Sequence, residues 1–113
     1  MIRRIVEDYE SHLVAVDPGR TGADAAAKAE HERFASGDER FKIRLRKLSL
    51  AEQTPLDVYL MDEKVGSMSV CRGRAELIID SSTGSVVPRV EAGDRIVVAH
   101  LGVGLFAGNF QPD

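Results

Sequence analysis

The chain has 113 residues, 43% apolar and 29% charged, with a net charge of −3. Those values fit one globular domain with enough chain to bury a core, and they supply no strong field toward nucleic acid or membrane. The one cysteine, Cys71, excludes an intrachain disulfide and a cysteine-based zinc cluster.

No apolar run approaches the ~20 residues that a membrane-crossing helix needs. Met1-Ile-Arg-Arg is followed by charge, not by the apolar stretch of a signal peptide. As given, the chain reads as cytoplasmic, with a secretion leader removed upstream left open.

The N-terminal part, residues 1–27, supports two readings. Ile2, Ile5, Val6, Tyr9 and Leu13 share one helical face, whereas Glu10 to Val16 has the bulk of a strand. Asp17-Pro-Gly-Arg-Thr-Gly22 is a loop by its proline and glycines. Ala23 to Ala29 is alanine-rich behind a Thr21-x-x-Asp24 capping pattern, so a helix competes there with a strand over Lys28 to Phe34. The strand is preferred because it completes a hairpin with the alternating segment that begins at Phe41.

Phe41-Lys-Ile-Arg-Leu-Arg46 alternates without a fault after a turn at Ser36-Gly-Asp38. Phe41, Ile43 and Leu45 should face inward, and Lys42, Arg44 and Arg46 outward. If the preceding strand pairs back, one parity sets Glu30 and Glu32 against the basic face. The other buries both carboxylates at a cost of several kcal/mol each, so the first is expected. It turns Ala29, His31 and Arg33 toward the apolar side.

A second hairpin is expected from Leu56 to Met61, through a three-residue turn at Asp62-Glu-Lys64, into Val65 to Val70. Arg72-Gly73 is a tight turn leading to Ala75, Leu77 and Ile79 on the inner face. Asp80 to Ser85 is a polar loop. Val86-Val-Pro88 suits only an edge or a strand end. Ala92-Gly-Asp94 turns into Arg95 to His100, apolar on both faces and expected to be the most buried strand. Gly102, Gly104 and Gly108 punctuate a last segment with Val103, Leu105, Phe106 and Phe110. The expected fold class is all-β: a single antiparallel β-sandwich or flattened barrel of seven to eight strands over residues 1–113.

Leu56-Asp-Val-Tyr-Leu60, Val65-Gly-Ser-Met-Ser-Val70, Gly73-Arg-Ala-Glu-Leu-Ile-Ile-Asp80 and Val87-Pro-Arg-Val-Glu-Ala-Gly-Asp-Arg-Ile-Val-Val98 together resemble a small bacterial β-sandwich module of uncharacterised function. The similarity runs from about Lys28 to Val98 and consists of turn and core residues. It implies a sandwich and transfers no active site.

The chemistry-bearing residues are sparse. His12, His31 and His100 lack metal-ligand spacing, even with Glu10 or Glu30 nearby, so no metal or cofactor is expected. Arg40, Lys42, Arg44, Arg46 and Lys47 form a basic stripe. Without interleaved exposed aromatics it reads as a solvated, charge-paired sheet face, which disfavours nucleic acid. Asp62, Glu63, Asp80 and Asp94 are turn formers, and Ser81-Ser-Thr83 has no nucleophile context. Cys71 lies by a tight turn on the outer parity, as a weakly exposed thiol.

Tyr59, Met61, Val65 and Ile78 fall on the outer parity of the central meander, with Ser67 between Tyr59 and Ile78. This cluster is read either as a self-association surface or as ground covered by the N-terminal segment. The expected function is a non-enzymatic interaction module that forms a homodimer. A small-ligand or carbohydrate-binding module is the alternative, weakened by the absence of Trp.

Overall fold

A computed structural model describes residues 3–113, so Ile2 lies outside the described residues. The strands are β1 (Ile5–Ala15), β2 (Ala26–Phe34), β3 (Glu39–Arg46), β4 (Pro55–Leu60), β5 (Glu63–Ser69), β6 (Ala75–Asp80), β7 (Arg95–His100), β8 (Val103–Asn109) and β9 (Gln111–Pro112). All neighbours are antiparallel, in the order β5-β4-β7-β8-β1-β2-β3-β6, with the short β9 also paired to β1. The all-β expectation holds, with nine strands among the described residues rather than seven or eight. The sheet curls until its two edges, β5 and β6, pack together, giving a nearly closed barrel.

The alternating residues of β3 set the inner wall. Phe41, Ile43 and Leu45 are buried, and they face Leu56, Val58, Ile96, Val98, Leu105 and Phe106 across the core. The β7 strand is buried as expected, between β4 and β8. Leu77 and Ile79 of β6 point inward but stay half-buried, because β6 is an edge.

Bulges bend the strands enough to close the barrel. One extra residue, Leu105, sits in β8 where Val98 pairs with Phe106 and Ala99 with Gly104. It lets the consecutive Leu105 and Phe106 both enter the core.

Several local expectations change. The N-terminal segment is the long strand β1, not a helix, because it finds hydrogen-bonding partners on both sides. It therefore lies within the sheet and does not cover the meander. The 17–22 loop contains one helical turn, α1 (Pro18–Thr21), capped by the Asp17 carboxylate, which accepts from Gly19 N at 3.1 Å. The alanine-rich stretch is extended from Ala26: pairing with β1 and β3 outweighs alanine's helix propensity. Thr21 Oγ1 donates back to Asp17 O, so the Thr21-x-x-Asp24 cap does not form.

The β4–β5 turn has two residues, Met61 and Asp62, at φ 50° and 66°, and Glu63 and Lys64 already belong to β5. Val65 is then a bulge. The extra residue restores the expected parity, so Leu56 and Val58 still share a face with Gly66 and Met68. The Arg72-Gly73 turn forms as expected, with Cys71 and Arg74 bridged and both turn residues at positive φ. Val86-Val-Pro88 forms no strand. Val86 is exposed, and Val87 packs on the core from a loop. No helix among the described residues is long and apolar enough to cross a membrane.

Candidate functional site

The outer face of β1, β2, β3 and β6 carries ordered rows of charge. Residues directly opposite one another in neighbouring strands share a face, so the registers define the rows. The first row is Asp8–Glu32–Arg40–Asp80, with three carboxylates and one guanidinium. The second is Glu10–Glu30–Lys42–Ile78, with two carboxylates and one ammonium. The third is His12–Lys28–Arg44–Glu76, with two permanent cations and one carboxylate. Beyond it lies Arg46 opposite Ala26, near Arg74. Rows lie about 7 Å apart, two residues along the strand. The face thus grades from acidic to basic within about 20 Å.

Most of these charges are paired within the chain. Arg40 donates to Glu32 at 2.7 Å, and Arg3 donates to Asp80 at 2.7 Å. Lys28 reaches Glu10 at 3.2 Å and Glu30 at 3.5 Å, and Arg44 reaches Glu76 at 2.5 Å. The Arg3 guanidinium, with help from Ser82, holds the Asp80 carboxyl far below the usual carboxylate range. The bond to Glu10 raises the Lys28 ammonium. Lys42, Arg46 and Arg74 have no carboxylate at ion-pair distance among the described residues.

At the basic end the face forms an open hollow of about 910 Å³. Lys28, Lys42, Arg44, Arg46 and Arg74 line it against only two acids, Glu30 and Glu76. Its lining holds no Phe, Tyr or Trp. His12 and Cys71 both border it, but β2 and β3 lie between them, about 10 Å or more by strand spacing. They cannot form a nucleophile–base pair at that separation.

At the acidic end Asp8, Glu30 and Glu32 bring ligand-type oxygens within 4.8 Å of one another. Arg40 and Lys28 already neutralise two of the three. Asp8 is left over: its Oδ1 is buried without a hydrogen-bond partner among the described residues. Burial, and then the Asp113 carboxyl beside it, push Asp8 up to about 6.

Glu30 and Glu32 take the expected parity, with a correction to their partners. Glu30 faces Lys42, but Glu32 faces Arg40, and Lys28 takes the place opposite Arg44. Glu32 is also buried rather than solvent-facing, accepting from Arg40, whose guanidinium lies over the Phe34 ring. Arg33 is exposed and bonds Glu7 instead of turning into the core, since the barrel ends there.

The four residues Tyr59, Met61, Val65 and Ile78 are dispersed. Tyr59 faces outward in a row with Val97, Ala107 and Val14 across β4, β7, β8 and β1. Met61 is exposed in its turn, and Val65 packs against the core beside it. Ile78 is exposed within the charged face, opposite Lys42. The three histidines do not converge either. His12 is exposed near Glu10, His31 is buried, and His100 Nδ1 lies 2.8 Å from the Pro55 carbonyl. Cys71 is exposed, as its parity implied.

Sequence reasoning missed the charge gradient. Its signal was present in the alternation Asp8, Glu10, His12 on one strand and Arg40, Lys42, Arg44, Arg46 on another. No protein-family model matches the chain, and the search of curated proteins finds no relative.

Proposed function

We propose that this protein is a non-enzymatic interaction module that receives a carboxylate-bearing protein segment in the hollow of the β2–β3–β6 face. The observation that carries the reading is the set Lys42, Arg46 and Arg74. These cations border one concavity without internal carboxylate partners among the described residues, in a chain of net charge −3. An arginine fork binds a carboxylate with two parallel hydrogen bonds, so Arg46 and Arg74 supply direction as well as charge.

Two features narrow the occupant. The hollow has no Phe, Tyr or Trp for a base or a sugar to stack on. Glu30 and Glu76 interrupt the cations and oppose an unbroken polyphosphate backbone, whereas a segment of mixed charge can match them. Chemistry at the hollow has no support, because His12 and Cys71 stand apart.

The test is calorimetric titration with a glutamate-rich peptide in low salt, with tripolyphosphate as comparator. The peptide should bind, and Lys42→Gln/Arg46→Gln/Arg74→Gln should weaken it by at least about tenfold. Absence of peptide binding, or equal binding by the triple variant, would overturn the reading. Preference for tripolyphosphate would move it to a phosphate-bearing partner.

A further inference from the structure

We infer that the seam between β5 and β6 is a docking slot for an extended, basic protein segment, which enters as a further strand and completes the ladder of the barrel. It is a second site, recognised through the backbone rather than through the cations of the hollow. The two strands are consecutive and joined by the tight turn at Arg72-Gly73. Among the described residues they nevertheless pair only at the Cys71–Arg74 bridge. Beyond that bridge each strand is an edge, and an unpaired edge is a template for another chain.

The bonds at the turn fix where the backbone groups point. Cys71 N donates to Arg74 O at 2.7 Å and Arg74 N to Cys71 O at 3.0 Å, so both residues face the seam. Backbone direction alternates along a strand, and the β3–β6 register is unbroken. Glu76 and Ile78 therefore turn their N–H and C=O groups to the seam, while Leu77 and Ile79 turn theirs to β3. On the other side Val70 bonds Gln53 and Thr54, so Ser69 and Ser67 face the seam. None of these four residues has a backbone partner across the seam among the described residues.

The side chains define the occupant. Leu77 and Ile79, half-buried on the inner parity, can be covered by apolar residues at alternate positions. On the outer parity Glu76 and Ile78 are exposed. Glu63, at the open end, has no cation at ion-pair distance among the described residues. A segment that alternates apolar and basic residues matches both parities. The β6 strand of a second copy does not, because antiparallel pairing about Ile78 sets Glu76 against Asp80 twice.

Entry needs a small movement. The edges come within 8 Å of one another, and a strand between them needs about 9.6 Å, twice the strand spacing. Side chains such as Leu77, lying over Gly66, hold the edges together, and there is no ladder to break.

The experiment is residue-resolved amide exchange by NMR on the full chain, with excess of a capped hexapeptide alternating valine and lysine. In the free protein the amides of Glu76 and Ile78 should exchange faster than those of Leu77 and Ile79. The peptide should slow Glu76 and Ile78 by at least about tenfold, and far more than it slows Leu77 and Ile79. A proline–lysine hexapeptide keeps the charge but lacks alternate N–H groups, and it should slow neither. Ile78→Pro removes one seam-facing N–H, which an edge strand tolerates. It should weaken valine–lysine binding by about tenfold with an unchanged circular dichroism spectrum. Should that variant misfold, the two peptides on the wild type still decide.

No slowing at Glu76 and Ile78, equal slowing by the proline–lysine peptide, or full binding by a folded Ile78→Pro would each overturn the inference. Equal slowing by a valine–glutamate peptide would overturn the basic partner. Lys42→Gln/Arg46→Gln/Arg74→Gln should leave the slowing intact, so this site and the hollow fail independently.

Discussion

Arg40 donates from both Nε and Nη2 to one oxygen of Glu32, at 3.0 and 2.7 Å. The two ends of this pair are unequal. The Glu32 side chain is 5% exposed and the Arg40 side chain 30%. Removing the guanidinium leaves a buried carboxylate beside Asp8 and Glu30, while removing the carboxylate leaves an arginine that can turn to water. Arg40→Ala should therefore destabilise by about 3 kcal/mol and Glu32→Gln by about 1 kcal/mol. Urea midpoints compare them, and the reverse order would contradict the assigned burial.

The seam between β5 and β6 is closed by side chains, not by a strand ladder. A β-carbon on Gly66 would lie 2.6 Å from Leu77 Cδ2, so the glycine lets the Leu77 side chain lie across the gap. Gly66→Val should cost about 1–3 kcal/mol by overpacking. Leu77→Ala, from its half-buried site, should cost about 1–2 kcal/mol, less than the 2–5 kcal/mol range for the fully buried Ile43→Ala. Chemical denaturation of the three variants ranks them. A harmless Gly66→Val would mean the edges stand further apart.

Asp8 sets one pH dependence. Its folded value, about 6, is raised above the ordinary value of 3.8 by burial first and Asp113 second. The native state therefore holds a proton that the unfolded chain has released. The added stability is complete below about pH 4 and is lost as pH rises through about 6. Asp8→Asn should stabilise at pH 7–8 by about 1 kcal/mol, discounted for partial solvent screening, and by nothing near pH 4. Thermal melts across that window show the convergence. A constant difference would assign the effect to packing.

His31 works in the opposite direction. It is buried between Tyr9 of β1 and Phe41 of β3, and neither ring nitrogen has a hydrogen-bond partner among the described residues. Burial lowers its proton affinity, against the weaker pull of Glu39, Glu7 and Glu32. A lowered histidine contributes stability that is present above its unfolded value, about 6.5, and lost as pH falls below it. His31→Leu should flatten this decline in stability between pH 7 and 5. An unchanged slope would show that His31 takes up its proton equally in the folded and unfolded states.

The sequence alone determined faces and turns. Period-two alternation placed Phe41, Ile43 and Leu45 inside and Lys42, Arg44 and Arg46 outside, and the Arg72-Gly73 pair marked its turn. Both signals are local, since they arise from the pleat and from backbone sterics. The parity of Glu30 was legible too, because a buried unpaired carboxylate costs more than a hairpin can return.

Only the tertiary structure decided which strands are neighbours beyond the β2–β3 and β4–β5 hairpins. The order β5-β4-β7-β8-β1-β2-β3-β6 separates Tyr59 from Ile78 and joins Tyr59 to Val97, Ala107 and Val14. It also brings Asp8, Glu32, Arg40 and Asp80 into one row from four separate strands. Alternation assigns each side chain to a face but is silent on its partner, because every strand presents the same backbone donors and acceptors. Partner choice comes from closing the barrel around Phe41, Phe106 and Phe110 with bulges at Val65 and Leu105, a choice made by the packing of the whole chain.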